Sequence, residues 1–66
     1  MNLPPVFKDE KVYIIREKKY GIIHQVDENN KFYWINKDGF SLGIYGREDF
    51  MLVLEEEYET SLLLEA

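Results

Sequence analysis

Cysteine is absent from the 66-residue chain, and proline, histidine and tryptophan are scarce, at two, one and one. Without cysteine there is no disulfide and no thiolate metal site. His24 has no cysteine and no neighbouring acid in sequence with which to form a ligand set or a triad. The two serines, Ser41 and Ser61, lack the glycine context of a nucleophile elbow. No apolar run approaches the roughly 18 residues of a membrane span. Met1 to Val6 shows no basic stretch leading into an apolar one. These absences predict a cytoplasmic protein with no cofactor, no metal, no membrane contact, no small-molecule substrate and no enzymatic activity. Packing alone must hold the fold, in a chain whose size lets it bury only about 60% of the surface it exposes when unfolded. The composition suits that task, with 45% hydrophobic residues and 15% aromatic ones.

The net charge of −5 is unevenly spread. Through Gly46 seven bases meet six acids, whereas from Arg47 onward Arg47 alone faces seven acids. Affinity for nucleic acid comes mainly from Lys and Arg neutralising phosphates, so generic nucleic acid is not an expected partner. Abundant Ile, Lys, Asn, Tyr and Phe suit an AT-rich bacterial or phage genome.

Along the chain, short β-branched and aromatic runs alternate with turn residues. Pro4-Pro5 gives residues 1–10 an extended start, an arm that can lie on the domain through Val6 and Phe7. Strand one follows from Lys11 through Val12-Tyr13-Ile14-Ile15, and Glu17-Lys18-Lys19 interrupts it. Strand two is Tyr20 to Val26, ended by Asp27-Glu28-Asn29-Asn30, residues that tolerate left-handed backbone. Strand three is Phe32 to Ile35, and Asn36-Lys37-Asp38-Gly39 closes it with an Asp-Gly pair suited to a tight hairpin. Strand four runs from Phe40 to Tyr45 with Leu42 and Ile44 expected on one face. A 3₁₀ turn over Gly46 to Asp49 then leads into strand five, Phe50 to Leu54. The acidic and apolar stretch 55–66 reads as a tail or a short helix, in which Leu54, Tyr58 and Leu62 at i, i+4 and i+8 would line one side.

In this order of elements residues 11–54 resemble the SH3-like small-barrel superfamily, in particular its KOW and Tudor-type members. The resemblance rests on Val12 and Ile14, on the Gly21-Ile22-Ile23 step, on Tyr33 to Ile35, and on Arg47-Glu48-Asp49-Phe50 leading into Leu52. It implies an all-β, five-stranded barrel and a binding module rather than an enzyme. RNA-contacting KOW modules are usually basic, unlike this chain, and a Tudor cage needs several converging rings. The loop Glu17-Lys18-Lys19 is short and there is one tryptophan, so proline-rich peptides are not expected ligands.

Strand three carries the main functional expectation. A strand alternates its faces, so Phe32 and Trp34 point opposite to Tyr33 and Ile35, and only one pair can enter a small core. With Tyr33 and Ile35 inward, Phe32 and Trp34 form an outer aromatic surface, bare or covered by the arm or by Leu62-Leu63-Leu64. Together with Tyr20 they are the expected binding residues, for a protein partner or for self-association. Two alternatives remain. Arg16, Lys18, Lys19 and Tyr20 combine base and ring as single-strand nucleic-acid grooves do, and Glu55-Glu56-Glu57 with Glu59 suit a small acidic inhibitor that mimics charge.

Overall fold

A computed structural model describes residues 4–65, so Met1, Asn2 and Leu3 of the arm and Ala66 of the tail lie outside the described residues. The elements are β1 (Lys11–Ile14), β2 (Lys19–Val26), β3 (Phe32–Lys37), β4 (Phe40–Gly46), a 3₁₀ turn (Arg47–Asp49), β5 (Phe50–Leu52) and helix α1 (Glu55–Glu65). All five strands are antiparallel in one sheet of order β4-β3-β2-β1-β5. The molecule is thus mostly β with one C-terminal helix.

Local chemistry explains the turns. Asp38 and Gly39 both adopt positive φ, 51° and 81°, as a two-residue hairpin requires to match the twist of its strands. Asn30, at φ 55°, lies in the β2–β3 connection and also holds the arm. Its Nδ2 donates to the Val6 carbonyl at 3.0 Å, and its Oδ1 accepts from the Val6 amide at 3.3 Å. The Tyr33 hydroxyl donates to the same residue. The arm also prolongs the β1–β2 ladder: Asp9 N–H donates to the Ile23 carbonyl at 2.8 Å, and Ile23 N–H to that of Glu10 at 2.9 Å.

The core lies on the concave side of the sheet. Val6, Val12, Ile14 and Ile23 are fully buried there, as are Tyr33 and Ile35 of β3, and Tyr45 and Phe50 close its ends. Tyr33 meets Phe50 edge-on with ring centres 5.1 Å apart. The expected facing of β3 is therefore the observed one. Gly21 stands where the sheet packs most tightly, since a Cβ there would come within 2.5 Å of Ile35 Cγ2. Burial and the hydrogen bond to Glu17 hold the Tyr45 hydroxyl pKa up at about 12. That bond, 2.8 Å long, ties β4 to the β1–β2 loop.

Four expectations are corrected. The sheet is not a closed barrel: β4 and β5 are its two edges, and no ladder joins them among the described residues. β5 keeps only three residues, all paired to β1, and the 3₁₀ turn redirects the chain before it. Leu42 and Ile44 do not share a face. The β3–β4 register skips Leu42, passing from Gly43, at φ 131°, to Ser41, so Leu42 packs against the core while Ile44 points outward and is 58% exposed. Finally, the C-terminal segment is a helix, but Leu54 precedes it and is exposed, and the helix turns Tyr58 and Ser61 inward with Leu62 half-buried beside them.

Candidate contact surface

The convex face of the sheet is divided. Over β1 and β2 it is covered by α1, which seats Tyr58 against a pair of rings already in tilted contact across the ladder. Tyr13 and Tyr20 are register partners with ring centres 4.8 Å apart. Tyr58 meets Tyr20 edge-on at 6.4 Å. Tyr20 donates its hydroxyl proton to Glu57 at 2.9 Å, and this acceptor, with some burial, raises its pKa above the usual tyrosine value. Lys11 completes the arrangement, 3.6 Å from the Glu55 carboxylate and 5.9 Å from the centre of the Tyr58 ring.

Over β3 and β4 the convex face carries Phe32, Trp34 and Ile44. Trp34 lies opposite Ile44 in the β3–β4 ladder and opposite Gln25 in the β2–β3 ladder. Phe32 is 55% exposed and Trp34 half-buried. No charged residue stands among Phe32, Trp34, Ile44 and Gln25. The β2–β3 register skips His24, which places a bulge beside Gln25. A cleft of about 430 Å³ lies between the arm and β2, lined by Phe7, Lys8, His24, Gln25, Val26 and Asn30.

Of the residues singled out in the sequence, Phe32 and Trp34 share this bare half of the face, while Tyr20 lies in the other half with Tyr13, Tyr58 and Glu57 as its neighbours. Sequence reasoning did not find Ile44 as their companion. The missing signal was the bulge, of which the only trace in the chain is Gly43 within an otherwise regular run.

The basic set of the nucleic-acid alternative is partly engaged. Arg16 pairs with Asp49 at 3.2 Å, and Lys18, at φ 56°, forms the turn into β2. In the acidic set, Glu55 and Glu57 face Lys11 and Tyr20, and Glu56 and Glu59 are exposed. Among the described residues no three His, Cys, Asp or Glu side chains gather as a metal site, and no helix is long and apolar enough to cross a membrane. Set against protein-family models, curated proteins and solved structures, the chain matches none.

Proposed function

We propose that this domain is a non-catalytic protein-contact module of SH3-like topology, engaging its partner through Phe32, Trp34 and Ile44. The strand order β4-β3-β2-β1-β5, with a 3₁₀ turn leading into the last strand, supports the SH3-like reading. One observation carries the functional reading: α1 covers half of the convex face, and no element among the described residues covers the adjoining apolar, uncharged half. Large apolar surface on a small soluble domain marks a place of contact. Trp34 and Phe32 also have the rigid, amphipathic or apolar bulk that dominates protein interfaces. The nucleic-acid alternative is disfavoured by the Arg16–Asp49 pair, by the engagement of Tyr20 and by the net charge of −5.

The test compares the wild-type chain with Trp34→Ala and Phe32→Ala as baits in extracts of the native host. A partner retained by the wild type and lost by both variants, with circular dichroism unchanged, supports the reading. A partner kept by both variants refutes it. So does sub-micromolar binding of mixed-sequence oligonucleotides in fluorescence anisotropy at about 150 mM salt, close to physiological ionic strength.

A further inference from the structure

The arm and β2 part where their pairing would otherwise continue. Ile23 exchanges both backbone hydrogen bonds with the arm, accepting from Asp9 and donating to Glu10. Beyond that point the arm turns: Glu10 N–H donates to the Phe7 carbonyl at 3.3 Å, with Asp9 at φ 73°, and the turn carries Phe7 and Lys8 off the strand. The arm is held again at Val6, whose backbone N–H and C=O both bond the Asn30 side chain. The cleft is the space between these two attachments.

Within it β2 has no partner strand. Asp27 N–H donates to the Phe32 carbonyl at 2.9 Å, so Asp27 turns its backbone groups toward β3. Val26, the register partner of Tyr33, therefore points its own N–H and C=O away from β3, to the side of the arm. Neither group is hydrogen-bonded there among the described residues. The side chains around it carry charge of one sign. The chain has 13 acids, yet none lines the cleft, whereas Lys8 and His24 both do. Neither of these side chains has a hydrogen bond or an ion pair among the described residues. The neighbouring Glu10 commits its carboxylate to the Phe7 amide at 3.0 Å.

We propose that this cleft binds the C-terminal residue of a peptide that ends in an apolar side chain. The N–H of that residue donates to the Val26 carbonyl, and its carboxylate accepts from the Val26 N–H and meets Lys8 and His24. Its side chain lies against Phe7 and Val26. Each part of the ligand answers a group on the wall. An uncharged internal strand would satisfy Val26 and leave the two cationic side chains without a counter-charge, and a simple anion would leave the Val26 carbonyl bare. The volume of about 430 Å³ lies within the range of small-ligand sites, roughly 300–1,000 Å³. Elsewhere a chain of net charge −5 repels a carboxylate, so local charge fixes where the terminus docks. The site uses none of Phe32, Trp34 and Ile44, and it stands independently of the function proposed above.

One pair of backbone hydrogen bonds and an exposed charge contact give a weak complex, with a dissociation constant on the order of 1 mM. The probe is acetyl-glycyl-glycyl-valine with a free carboxylate, titrated past that concentration into the isotopically labelled full chain and followed by backbone amide chemical shifts. The Lys8, Gln25 and Val26 amides move together and saturate with one constant. The same peptide closed by a C-terminal amide binds about tenfold more weakly, and one ending in aspartate binds several-fold more weakly. Lys8→Met and His24→Gln each weaken binding several-fold with the sheet's spectrum preserved, and Trp34→Ala binds as the wild type does. Absence of saturable shifts in the arm and β2 overturns the proposal, as does equal binding of the carboxylate and amide peptides. Shifts centred on Phe32, Trp34 and Ile44, or binding lost in Trp34→Ala, also overturn it, by moving the peptide to the convex face.

Discussion

The two halves of the convex face are built from the same kind of material and end differently. Over β1 and β2, Tyr13 and Tyr20 carry hydroxyls, and α1 answers them with Tyr58 and the Glu57 carboxylate. Over β3 and β4, Phe32, Trp34 and Ile44 offer almost no polar group, and no element of the described chain caps them as α1 caps Tyr13 and Tyr20. Burying rings with polar tips requires hydrogen-bond partners that must be placed accurately, which suits a helix of the same chain. Purely apolar surface accepts any well-shaped cover and leaves the choice of cover open.

The largest test of this contrast runs through the thickness of β3. Tyr33→Ala removes a fully buried ring and should cost about 3–5 kcal/mol, comparable with the whole stability of a small domain. The expected result is a chain without a cooperative thermal transition. Trp34→Ala, one residue along, should melt cooperatively. If both variants unfold, the bare half is core and the contrast fails.

A smaller effect compares the two halves directly. Tyr58→Ala uncovers Tyr13 and Tyr20, and since Tyr58 is only 5% exposed the expected cost is about 2–4 kcal/mol. Phe32→Ala, on the open half, should change stability by about 0.5 kcal/mol or less. Urea denaturation of both reads the difference. Equal losses would mean that the open half is already packed.

The smallest effect is alkaline. The hydroxyls of Tyr20, Tyr33 and Tyr45 all have raised pKa values, and the open half holds no tyrosine. In the unfolded chain a tyrosine ionises near 10.0, whereas folded Tyr45 does so at about 12. Its stabilising contribution is thus complete below pH 10 and is lost as pH rises toward about 12. Urea midpoints should fall across that window. Tyr45→Phe should flatten the fall, and Phe32→Ala should leave its slope as in the wild type.

Much of this architecture is legible in the sequence because it is local. Period-two alternation in Phe32 to Ile35, the Asp38-Gly39 turn and the polar step at Arg47-Glu48-Asp49 locate five strands and a 3₁₀ turn within a few residues of their observed ends. The facing of β3 follows from the small size of the core. What stays hidden is long-range. Tyr20 and Glu57 are 37 residues apart, and nothing near either announces the other, so Tyr20 reads as a free ring. The helix gives no clean apolar stripe, since its acids gather in the first turn and its leucines near the end. Spacing alone therefore selects Leu54, which the structure leaves exposed, over Ser61, which it buries. The open sheet is hidden for another reason: closure depends on how far β5 can pair, and a run of five apolar residues does not show that only three will.

β1 pairs on one side with β2 and on the other with β5, where Val12 meets Leu52. During synthesis the meander β2-β3-β4 can assemble from neighbouring hairpins as soon as it is made. β1 must wait for a strand that emerges some forty residues later, a closure whose entropic cost grows slowly with loop length. Through that interval its outer edge is open to any other strand nearby. The finished domain therefore has a vulnerable stage on the ribosome that its folded form no longer shows. Nascent chains arrested through an added unstructured C-terminal linker should reveal it: with a linker too short to bring Leu52 out of the exit tunnel they should be cut by protease within β1, and with one long enough to bring α1 out they should resist. Equal resistance of both would mean that β1 is secured without β5.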